Sequence, residues 1–169
     1  MSVWKGDELV VIRLAGRASF TGSVDFKLLI NGLWEQGATR FLLDLTDCLL
    51  MDSTFLGVLA GAGLKIAGGA PVTETHGVQL LNPNQRVADS LENLGVAQFF
   101  HISACPPAEA PCYEAAGGEG GEPSREEVSR LCLEAHQLLM DISPANVPKF
   151  KDVARFLADD LAKLAARMK

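Results

Sequence analysis

The sequence predicts an α/β fold, a sheet with helices packed on it, followed by a helical hairpin. Three observations carry this reading. Short aliphatic runs alternate with stretches of helical period over the first hundred residues, a segment rich in Pro, Gly and Glu then interrupts the chain, and two amphipathic stripes follow it.

Leu9-Val10-Val11-Ile12-Arg13-Leu14 reads as a strand, and Phe26, Leu29, Ile30 and Leu33 recur at helical spacing inside Ser23 to Gln36. Phe41 to Leu45 is a buried strand. The helix that opens at Ser53 carries Leu56, Leu59, Ala60 and Gly63 on one face and Val58, Ala62 and Ile66 on another, so it should be covered on more than one side. Gly57 and Gly61 each cost about 1 kcal/mol relative to alanine inside a helix. Their spacing predicts a neighbour approaching the helix backbone. Gly68-Gly69-Ala70-Pro71 ends that helix, Val78 to Leu81 is the next strand, and Asn82-Pro83-Asn84 starts a helix that Gly95 closes.

From Cys105 to Pro123 the chain holds four Pro, four Gly, four Ala and four Glu with no Lys or Arg, too little apolar area to offset the entropy of ordering. We therefore divide it into a domain over 1–104, a flexible linker over 105–123 and an amphipathic helical hairpin over 124–169. In the hairpin, Ser124-Arg125-Glu126-Glu127 is a capping box, and Val128, Leu131, Cys132, Ala135, Leu138, Leu139 and Ile142 keep to one stripe. Ser143 to Pro148 breaks the helix, and Phe150, Val153, Ala154, Leu157, Leu161, Leu164, Ala165 and Met168 form a second stripe. That apolar face needs a cover: the chain's own first domain, a second copy in a homodimeric four-helix bundle, or a partner.

Composition narrows the function classes. The chain of 169 residues is 48% hydrophobic and 21% charged with a net charge of -6, a globular composition without the basic footprint of a nucleic-acid surface. The opening residues lack the apolar core of a signal peptide, and the longest charge-free apolar run, Ser53 to Leu64, is too short for a membrane span. A cytoplasmic protein is expected. Cys48, Cys105, Cys112 and Cys132 form no C-x-x-C pair and have no nearby histidine cluster, so free thiols are expected and no metal. No G-x-x-x-x-G-K-[ST] or G-x-S-x-G sequence occurs, and Gly61-Ala62-Gly63 lies within a helix, so neither an NTPase nor a serine hydrolase is predicted. No cofactor is implied.

The motif that carries chemistry is Asp52-Ser53, placed where the strand run Phe41 to Leu45 and a short loop hand over to an apolar helix. A serine there can cap the helix, and a phosphate on it would meet the free N–H groups and the positive end of the helix dipole. The run resembles the STAS domain of anti-sigma factor antagonists, in which an aliphatic strand ending in Asp-Leu precedes Asp-Ser-Ser/Thr-Gly-Leu-Gly-Val-Leu. Asp52, Ser53, Thr54, Leu56, Gly57 and Val58 match, and Phe55 does not. Val78 to Asn82, Arg86 to Val96 and Phe99-Phe100 are similar to that family's closing strand, helix and aromatic end.

The resemblance implies a STAS-like mixed sheet and a non-enzymatic regulatory module. It would bind an anti-sigma factor or serine protein kinase, be switched by phosphorylation of Ser53, and be reset by a phosphatase. It also admits a phosphorylation-independent scaffold subunit of a lipid-transport or sensory complex. Thr54 is a second candidate acceptor. Asp52 either orients the hydroxyl and contacts the kinase or is a loop carboxylate at a helix N-terminus. Phe55 either reaches into the core or projects into the recognition surface. Gly16-Arg17-Ala18-Ser19 stands where many antagonists carry an acidic pair, which makes Arg17 the fourth candidate partner contact. Asp44 and Asp47 read as solvated loop acids, and His76, His101 and His136 receive no catalytic role.

Overall fold

The computed structural model describes residues 1–6, 9–73, 76–104 and 123–167, with the backbone of 114–115. The first domain contains β1 (Ser2–Lys5), β2 (Leu9–Arg13), β3 (Gly16–Ala18), α1 (Phe20–Glu35), β4 (Arg40–Asp44), β5 (Cys48–Met51), α2 (Ser53–Ala67), β6 (Gly77–Leu81), α3 (Gln85–Asn93) and β7 (His101–Ser103). A two-residue strand, β8 (Glu114–Ala115), follows, and then α4 (Arg125–Ile142) and α5 (Val147–Arg167). The expected linker thus contributes Glu114 and Ala115 to the sheet edge. Its other residues up to Glu122 lie outside the described residues, apart from the boundary Pro123.

The main sheet runs β7-β6-β4-β2-β1-β8, with β2, β4, β6 and β7 parallel and β1 antiparallel to both of its neighbours. It is mixed, as expected. A separate parallel pair joins β3 to β5. Because alternate strand residues point to opposite faces, the registers Val10–Phe41–Val78 and Ile12–Leu43–Leu80 stack inward-facing side chains in rows, every one buried. β1, β3, β5 and β7 are too short to leave a periodic signal in the sequence, and only the sheet reveals them.

Helix α2 lies between the sheet and α4, so ten of its residues are buried and no face is left wholly to solvent. The glycine expectation holds at atomic distance. A β-carbon on Gly57 would lie 2.7 Å from the Ala135 carbonyl oxygen, one on Gly61 would lie 3.2 Å from Leu138, and one on Gly63 would lie 2.8 Å from the Phe100 ring. Gly68 closes α2 in the left-handed conformation, at φ 57°.

The hairpin packs on its own first domain. Leu131, Ala135 and Leu139 of α4 join the core formed by the sheet, α1 and α2, while α5 packs against α4. Its turn is pinned by Asn146, fully buried, whose Nδ2 donates to the carbonyls of Leu94 (2.9 Å) and Leu139 (2.8 Å). Lys149 adds a bond to the carbonyl of Asn93. The capping box at Ser124 forms as expected, with Glu127 accepting from the Ser124 backbone N–H and Ser124 Oγ accepting from Glu127 N–H. Among the described residues no helix is long and apolar enough to cross a membrane.

Candidate functional site

β5 ends at Met51, and Asp52 alone links it to α2, which starts at Ser53. The cap of α2 is Asp52, not Ser53: Asp52 Oδ1 accepts the Phe55 N–H at 2.8 Å, and Ser53 is already the first helical residue. The other oxygen of the same carboxylate accepts the Phe20 N–H at 2.7 Å, at the first residue of α1, whose own cap residue Ser19 forms no side-chain cap bond. One carboxylate therefore holds two helix N-termini together. An acid is suited to this post because both sets of free N–H groups carry the positive end of a helix dipole. Asp52 thus acts as a helix carboxylate, and it makes no bond to the Ser53 hydroxyl.

Ser53 is partly buried, and its Oγ lies 2.9 Å from Nε2 of His136 on α4. His136 is 6% exposed, and its ring stacks at 4.9 Å on Phe150 of α5. Burial pushes the imidazole below its ordinary pKa of 6.5, against weaker opposing pulls from the Cys132 carbonyl and the Asp52 carboxylate. Burial thus favours the neutral form of the ring. Its Nδ1 is buried without a hydrogen-bond partner. His136 belongs to this site although no pattern in the sequence assigned it a role.

Two of the four expected partner contacts lie in the interior of the docked chain. Thr54 is buried, 5% exposed, with Oγ1 at 3.6 Å from Cys132 Sγ, so it is closed both as an acceptor of phosphate and as a partner contact while the hairpin is docked. Phe55 is 2% exposed and packs its ring 4.9 Å from Phe26, so it reaches into the core and not into a recognition surface. Arg17 is exposed, as a partner contact must be, and has no ion pair among the described residues. Around it, the structure adds residues the sequence did not single out: Phe20 is 45% exposed beside Asp52, and Leu49 of β5 is 64% exposed.

Asp44 and Asp47 are not simply solvated loop acids, because both pair with Arg13, Asp44 at 3.8 Å and Asp47 in a closer contact. Cys48 and Cys132 are free thiols, and burial raises the pKa of each. Cys105 and Cys112 lie outside the described residues. Among the described residues no group of three or more metal-ligating side chains converges.

Comparison of the sequence with protein-family models and with curated proteins gives no match. Solved structures do match. One is a candidate anti-sigma factor antagonist from Thermotoga maritima, with a TM-score of 0.53 and 19% identity over 62% of this chain and 85% of that one. Another is the anti-sigma factor antagonist SpoIIAA in its unphosphorylated form, with a TM-score of 0.52 and 21% identity over 61% of this chain and 86% of that one. Sheet order, helix placement and these superpositions agree: this chain is built on the STAS-like fold of anti-sigma factor antagonists, with a helical hairpin packed across α1 and α2.

Proposed function

We propose that this chain is a non-enzymatic regulatory module that docks an anti-sigma factor or a related serine protein kinase at the end of the sheet bearing Ser53, and that phosphorylation of Ser53 ends the docking. The observation that carries the reading is the position of Ser53: the first residue of α2, next to a carboxylate already committed to two helix ends, with Arg17, Phe20 and Leu49 exposed on the same end of the domain. Exposed apolar and guanidinium groups of this kind suit a protein partner.

In the proposed step Ser53 Oγ forms a bond to the γ-phosphorus of a nucleoside triphosphate held by the kinase. The bond from that phosphorus to the bridging oxygen breaks, the hydroxyl proton passes to a base of the kinase, and the diphosphate leaves. The product carries nearly two negative charges beside Asp52, which repels a partner that had matched a neutral hydroxyl. A phosphatase restores the hydroxyl. A cytoplasmic location goes with this reading.

Incubating the chain with a candidate kinase and ATP, followed by site-resolved mass spectrometry, tests it. Phosphate is expected on Ser53, and phosphate elsewhere or none with any candidate kinase counts against it. A second reading, the phosphorylation-independent scaffold subunit, draws support from the engagement of Ser53 by His136. A Ser53→Asp variant that keeps its partner in a pull-down favours the scaffold; one that loses it favours the switch.

A further inference from the structure

The hydroxyl proposed as the phosphate acceptor is held by the chain's own hairpin. Approach to Ser53 Oγ is occupied by the His136 ring at 2.9 Å, and the next residue, Thr54, is covered by Cys132. A phosphate needs the space beyond Oγ that this ring fills. The rest of the hairpin's seat is built for close docking: Gly57 and Gly61 form a notch on α2 that takes Ala135 and Leu138, and Leu139 of α4 is fully buried in the core. One ion pair, Lys27 to Glu134 at 2.7 Å, spans the same junction at its exposed edge.

We propose that α4 and α5 form an intramolecular lid over Ser53, latched by His136, which must leave before a kinase reaches the hydroxyl and cannot return while a phosphate occupies it. The lid rests on the reading of Ser53 as a phosphate acceptor, and it changes that reading's logic. The hairpin competes with the partner for the α2 end of the domain, so the partner docks only on the opened, unmodified chain; the phosphate keeps the hairpin off and itself repels the partner. A phosphate on Oγ has no room under the ring in the docked arrangement, where His136 Nε2 already lies 2.9 Å from Oγ, and it would stand beside the Asp52 carboxylate.

Accessibility of position 53 tests the lid without any kinase. In the full chain carrying Ser53→Cys, N-ethylmaleimide labelling resolved by mass spectrometry is expected to modify the introduced thiol at least tenfold more slowly than in the same chain also carrying Leu139→Asp, which dislodges α4 from its own side. Cys48, buried within the first domain, is the internal control and should stay unlabelled in both chains. Equal rates at the introduced thiol would overturn the lid. So would labelling of Cys48 together with position 53 in the Leu139→Asp chain, because the hairpin would then be an inseparable part of the core.

A second measurement uses full-length protein with phosphoserine incorporated at position 53. Amide hydrogens of α4 are expected to exchange faster than in the unmodified chain while those of β2 and β4 do not; unchanged protection of α4 would refute the exclusion by phosphate. Failure of the functional reading looks different. An opened Leu139→Asp chain with native Ser53 that no candidate kinase phosphorylates would sink the acceptor role and leave the lid standing.

Discussion

The backbone of Gly57 in α2 touches that of Ala135 in α4 so closely that a single added carbon would lie 2.7 Å from the Ala135 carbonyl oxygen. Glycine is required there by space, since the helical conformation itself prefers alanine. Gly57→Val should therefore destabilise the chain by about 1–3 kcal/mol through overpacking. Gly32→Ala in α1, where a new carbon meets nothing within 4 Å, should instead stabilise it by up to about 1 kcal/mol. Denaturant unfolding of the two variants side by side checks the contrast, and similar signs for both would contradict it.

Asp52 predicts a loss larger than that of an ordinary cap. Asp52→Ala removes acceptors from both Phe55 and Phe20, so the cost should exceed the usual value of about 1 kcal/mol for one cap. Asp52→Asn keeps one carbonyl oxygen and should recover part of it. Thermal denaturation of the pair reads the difference. Equal stability of Asp52→Ala and the native chain would remove the two-helix role.

His136 makes hairpin docking depend on pH. Its folded pKa lies below the ordinary 6.5, so the docked chain binds fewer protons than the undocked or unfolded one. The resulting stabilisation is fully present above about pH 6.5 and is lost as pH falls through the folded pKa. Hydrogen exchange of α4, corrected for the intrinsic pH dependence of exchange, should show protection falling as the solution is acidified below that value. His136→Gln should flatten the profile. A native profile as flat as that of the variant would rule the histidine out as its source.

Asn146 offers a separate measure of how the hairpin is anchored. Asn146→Leu leaves the carbonyls of Leu94 and Leu139 without their donor, at about 1–3 kcal/mol for each buried group left unpaired. Because these bonds tie the hairpin turn to the end of α3, exchange should rise in α4 and α5 before it rises in β4. Uniform loss of protection across the chain would show that this anchor serves the whole fold.

Much of this molecule follows from local pattern. Residues Phe41 to Leu45, the two faces of α2, the stop at Gly68 and the capping box at Ser124 could be read directly, because each depends on neighbours within a few positions along the chain. The pair of glycines even announced a close neighbour. By itself, then, the sequence determined the order of elements, the Asp-Ser junction and the need to cover the hairpin's apolar stripe.

Only the tertiary structure decided what those features meet. Whether Asp52 or Ser53 capped α2 turned on a shift of one residue, whether Phe55 faced the core or a partner turned on its packing against Phe26, and His136 reached Ser53 across 83 positions of chain that carry no shared motif. The last of these comes from the packing of α4 against α2, and the Phe55 contact from the packing of α1 against α2. Their energy depends on distance in space, which local periodicity does not encode.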